Sequence, residues 1–222
     1  MKLLIHGFGK LKEAINKMIP FWFIIAYPVI LLSSIIFLLF AMKKYGHFSL
    51  LRRTMSGLGG EHKKSQIYFD ISMILVGLGT IILAYFLNLK LPNTIENIIM
   101  TFAMVMACVG TIFVSFFPES FRKKDKLVTH YMTAGTAFAG FFIAALFFSI
   151  IILTTNISNW LLIFPILVIL SLIGCSHTIK YNKPYYPGIK RKFMKNINIW
   201  EWFSIISIFI WVISLYLILS FI

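Results

Sequence analysis

The chain is short of charge. Only 13% of its 222 residues are Asp, Glu, Lys or Arg, against about 25% in soluble domains, which excludes an ordinary water-facing globular surface. Acidic residues are the scarcest: 7 Asp and Glu stand against 21 Lys and Arg, for a formal net charge of +14. There are 2 cysteines, Cys108 and Cys175, and both lie in apolar runs. They supply neither a disulfide framework nor a CxxC metal knuckle. Motifs for catalysis and cofactors are missing as well. No HExxH or HxxxH pattern, GxSxG elbow, P-loop lysine motif or GxGxxG turn occurs, so the spacing suggests no cofactor and no metal centre. Nor is there an inverted internal repeat of the kind that many transporters carry.

What the chain has instead is long apolar runs. Hydrophobic residues make up 59% and the mean hydropathy is +0.89. A membrane-crossing helix needs about 20 mostly apolar residues. Six stretches qualify, at about 19–41, 67–89, 95–118, 128–153, 158–178 and 199–221. The expected fold is therefore all-α, a polytopic six-transmembrane-helix bundle forming one domain over 19–222. Residues 1–18 read as an amphipathic interfacial helix, because Leu4, Phe8, Leu11, Ile15 and Met18 recur at helical spacing, or as a frayed terminus. They lack the apolar core and small-residue cleavage site of a signal peptide.

Six spans sort the connections onto two sides. The 42–66, 119–127 and 179–198 connections carry six, four and six Lys or Arg. The other side carries Lys90 and the four lysines of the N-terminal segment. The excess of basic residues places the three odd connections in the cytoplasm, in a plasma membrane, with both termini outside. The net charge then reports topology, and nucleic-acid binding is not expected. Trp22, Tyr85 and Trp160 are expected to anchor the outer interface, and Tyr68, Tyr131, Trp200 and Trp202 the inner one. Asn156-Ile157-Ser158 matches a glycosylation sequon, but its loop is too short and too near the membrane to be a good acceptor.

Polar residues gather on the basic side. Asp70 enters the second span there, Pro118 and Glu119 close the third, His130 opens the fourth, His177 ends the fifth and Glu201 begins the sixth. His47, Glu61 and His62 lie in the first basic connection, and Asp125 in the second. Ionisable groups at helix mouths are functional candidates, since unpaired charges there are costly. One face of each of three spans carries mostly small residues: Met73, Gly77, Thr80 and Ala84; Ser115, Thr111, Cys108 and Met104; Thr133, Ala134, Ala137 and Phe141. Such stripes let membrane helices approach closely, so the second, third and fourth spans should pack together. Pro28 and Pro165 are expected to kink the first and fifth spans. Ser56 with Gly57, Gly59 and Gly60 reads as a backbone anion nest or a flexible turn. Glu201 reads as a charge at a helix N-terminus, favoured by the macrodipole.

The stretches MSGLGG (55–60), FD (69–70), FFP (116–118) and HYMTA (130–134) occur in this order across the six spans. In them the chain resembles a prokaryotic six-helix membrane family, the domain of unknown function numbered nine-nine-eight. That family is in turn similar to the eukaryotic DRAM/Frag-type group. The resemblance covers about residues 20–220 and implies a six-helix membrane fold and a link to lipid handling. It directs attention to Ser56, Leu58, Gly59, Asp70, Phe117, Pro118 and His130. Two positions depart from the family pattern: Asp70 stands where asparagine is commoner, and Ser115-Phe116 where a glycine precedes the FP pair. An obligatory proton carrier at position 70 is therefore not implied.

Together these readings point to a lipid-interacting membrane protein, with a polar pocket for anionic headgroups at the cytoplasmic leaflet. Its expected lining is Ser56, Gly59, Gly60, Asp70, Pro118, His130, His177 and Glu201, in the field of Lys63, Lys64, Arg122, Lys123, Lys124, Lys190, Arg191 and Lys192. One alternative is a membrane-embedded lipid enzyme using His130 and Asp70 as acid and base, with His177 and Glu201 available to a metal. Others are a small transporter, in which homo-oligomerisation could complete a path, and a structural scaffold.

Overall fold

The computed structural model describes residues 20–46, 48–49, 54–60, 63–117, 124–155, 157–181 and 192–221. Within these, side chains at 124–127, 178–181, 192–198 and 221 are not described. The expected helix at 1–18, the sequon residue Asn156, and Pro118, Glu119, His47, Glu61 and His62 lie outside the described residues.

Helix α1 runs Phe21–Tyr45, α2 Gly57–Gly60, α3 Lys63–Lys90, α4 Ile95–Phe116 and α5 Lys124–Thr154. A 3-10 turn at Asn159–Leu162 leads into α6, Ile163–Tyr181, and α7 spans Lys192–Phe221. Six of these helices are long and apolar enough to cross a membrane, and the fold is an all-α bundle. Helices α3, α5 and α7 begin several residues before the apolar runs start. At 1.5 Å per residue, a helix of 28–31 residues is longer than a hydrocarbon core about 30 Å thick.

The tightest seam lies between α4 and α5. A Cβ on Gly140 would come within 2.6 Å of the Ala107 amide nitrogen, and one on Gly110 within 2.6 Å of that of Ala137. The two backbones touch because these positions carry no side chain. Helix α3 leans on α4 in the same manner, with a Gly77 Cβ meeting Ile112 and the Cys108 carbonyl. The expected association of the second, third and fourth spans is thus observed. The contact sequence continues from α1 to α3 and from α5 through α6 to α7, which returns to α3.

The interior has two tiers. The larger is built from Phe23, Leu83, Leu87, Met100, Met104, Phe148, Trp211 and Leu215 with their neighbours, and it fills the half where α1 begins and α7 ends. The smaller contains Leu38, Ala41, Tyr45, Met55, Leu58, Phe69, Met73, Val114 and Trp202, at the end where the basic connections emerge. Trp202 is buried there, edge-on to Phe48 at 5.8 Å. It is core and not an interfacial anchor, because it turns inward towards the α1 and α3 ends.

The two prolines behave differently. Pro28 lies inside α1 and has no N–H to give the Ile24 carbonyl. The Tyr216 hydroxyl of α7 donates to that carbonyl at 2.7 Å, replacing the missing bond from a different helix. Pro165 sits in the first turn of α6, just past the 3-10 turn. There a missing amide costs little, so Pro165 marks a helix start and not the kink expected of it.

Candidate functional site at the basic end

The MSGLGG stretch folds inward. Residues 57–60 form α2, with Gly57, Leu58 and Gly59 buried and Leu58 fully inaccessible. A Cβ on Gly59 would stand 2.6 Å from the Phe69 ring, so glycine is what admits the wedge against α3. So short a helix cannot be buried unless its backbone groups find partners. The Gly57 amide donates to Thr54 Oγ1 at 3.1 Å, and the Leu58 carbonyl accepts from Ser65 Oγ at 2.8 Å.

A further partner comes from 145 residues away. Glu201 Oε1 accepts from the Ser56 amide at 3.2 Å and from the Ser56 hydroxyl at 3.3 Å. The anion expected at this turn is therefore the protein's own carboxylate. Glu201 is the tenth residue of α7 and stands well past its first turn, so a helix end does not stabilise it, whereas Ser56 supplies it with two donors. One carboxylate thus ties the start of α2 to α7.

His130 is only 2% exposed, and its Nδ1 lies 2.8 Å from the Phe117 carbonyl. A carbonyl can only accept, so Nδ1 carries the proton and Nε2 is left as the other ring nitrogen. The side chain closes the C-terminal end of α4, satisfying a carbonyl that the helix cannot. Asp70 is half-buried one turn beyond Gln66, and its Oδ1 is covered and has no hydrogen-bond partner. No hydrogen bond joins Asp70 to His130.

Of the expected lining residues, the structure joins Ser56 to Glu201 and sets Gly59, with Gly60 after it, against Phe69 beside Asp70. His130 meets the residue that precedes Pro118. His177 is exposed on α6, whose main neighbours are α5 and α7. Among the described residues no three His, Cys, Asp or Glu side chains come together as a metal set. The sequence reading missed Thr54, Ser65 and Gln66. Nothing marked the first two beyond their hydroxyls, whereas Gln66 lies one turn from Asp70 on the same helical face.

Six helices of spanning length around a two-tier apolar core define an integral membrane protein of the helical-bundle class. Within that class, the chain belongs to the family described as "Protein of unknown function (DUF998)", which matches residues 25–218. No curated protein and no solved structure matches the chain.

Proposed function

We propose that the protein binds phosphate-bearing lipid headgroups at its basic end, in a cell membrane with that end cytoplasmic and both termini outside. The observation that carries the reading is a group of four exposed lysines. Lys43 and Lys44 close α1, and Lys63 and Lys64 open α3. Because α1 and α3 pack together, the two pairs stand beside each other at one level of the bundle. At the opposite end the described charged residues are Lys90 and Glu96. Each basic residue near an anionic leaflet contributes about 1 kcal/mol, so the four together supply roughly 4 kcal/mol of attraction. The phosphate is assigned to these lysines and not to the α2 turn, where Glu201 already holds the Ser56 amide.

The test is native mass spectrometry of protein released in mild detergent, comparing the wild type with a Lys43→Gln, Lys44→Gln, Lys63→Gln, Lys64→Gln variant. Retained phospholipid should fall at least several-fold in the variant; equal retention rejects the reading. His130→Ala is a poor probe, because it also strips the Phe117 carbonyl of its partner. The enzyme alternative gains no support from the geometry: His130 and Asp70 do not meet, and His130 is turned into the bundle.

A further inference from the structure

Asp70 is the unexplained group at this end. It is an acceptor whose Oδ1 is covered by protein and meets no donor. An unpaired carboxylate oxygen in such a place is expensive, and a hydrogen-bonding cation is the partner that suits it best. Lys63, Gln66 and Asp70 occupy positions i, i+3 and i+7 of α3 and so share one face. Lys63 is exposed, Gln66 is half-buried, and Asp70 lies two turns further in, roughly 10 Å along the axis at 1.5 Å per residue. The face thus offers a cation at its mouth and an unsatisfied anion below.

That order of charges matches a headgroup bearing both a phosphate and a primary ammonium. We infer that the basic end selects aminophospholipids, with the phosphate at Lys63 and Lys64 and the ammonium turned inward to donate to Asp70 Oδ1. The ammonium approaches this oxygen past Gln66, which stands one turn nearer the mouth on the same face. The inference rests on the headgroup reading above and adds the substrate class to it. A soluble phosphate-bearing amine would present the same chemistry, so the test must separate the two sources.

The experiment offers the wild type, Asp70→Asn and Asp70→Glu equimolar phosphatidylethanolamine and phosphatidylglycerol with matched chains in mixed micelles. Retained lipid is read by native mass spectrometry, and O-phosphoethanolamine is added as a soluble competitor in a parallel arm. The expected result is a preference of the wild type for phosphatidylethanolamine on the order of ten-fold, the scale of one charged hydrogen bond. Asp70→Asn should abolish that preference and Asp70→Glu should keep part of it. Since Oδ1 has no partner to lose, Asp70→Asn should fold normally. A wild-type preference that survives in Asp70→Asn overturns the inference. So does equal retention of the two lipids, which leaves the lysine reading standing. Retention of neither lipid, with no binding of the soluble competitor, removes both readings. If the soluble competitor binds and neither lipid is held, the ammonium pairing stands but its lipid source is wrong.

Discussion

The Ser56–Glu201 tie makes a demanding prediction. Glu201→Ala removes the acceptor of two hydrogen bonds at once, one from the Ser56 amide and one from its hydroxyl. A hydrogen bond to a charged group contributes about 1.5–3 kcal/mol when buried. Glu201 is only half-buried, so screening by solvent brings the pair down to about 2–3 kcal/mol together. Most of this should be lost locally, in the opening of α2, because α2 packs chiefly on α3 and the six long helices do not depend on it. At 1.4 kcal/mol per factor of ten, amide exchange across residues 54–60 should accelerate by roughly 30- to 150-fold. Hydrogen exchange followed by mass spectrometry reads this directly, since local openings are what it measures. Peptides from α4 and α5 should keep wild-type rates. Glu201→Gln should give an intermediate result, because its amide oxygen still accepts but without the charge. Unchanged exchange at 54–60 in Glu201→Ala would refute the tie, and uniform acceleration would show that it is no local latch.

Three further substitutions test the packing. Gly59→Ala drives a methyl into the Phe69 ring and should cost about 1–3 kcal/mol, visible as a lower unfolding temperature in detergent; an unchanged temperature would mean that the wedge is not seated as described. Gly140→Leu should prevent the α4–α5 seam from closing, so the protein should fail to accumulate as a monodisperse species on size exclusion. Tyr216→Phe removes the donor to the Ile24 carbonyl, and bonds between helices within membranes average about 0.6 kcal/mol. Its unfolding temperature should therefore drop only slightly, with faster exchange confined to α1 around Pro28.

The spans were legible because membrane insertion writes itself into long apolar runs, and the α3–α4–α5 seam because one face of each carries mostly small residues. Partnerships between distant residues were not legible. Pro28 announces that the Ile24 carbonyl needs another donor, but nothing local names Tyr216. Glu201 looked like a helix-end charge because the apolar run starts near it, whereas α7 begins at Lys192 and carries Glu201 into the bundle. Trp202 resembled its neighbour Trp200 in sequence, and only the inward face of α7 separates core from interface. His130 was recognisable as a residue at a helix mouth, but its bond to Phe117 depends on how α4 ends.

The most direct test of the headgroup reading is photo-crosslinking with a phospholipid that carries its diazirine in the headgroup, followed by peptide mapping. Adducts concentrated in peptides covering Lys43–Lys44 and Lys63–Asp70 are the expected result. Adducts concentrated near Lys90–Asn97, or spread evenly over both ends, would contradict it.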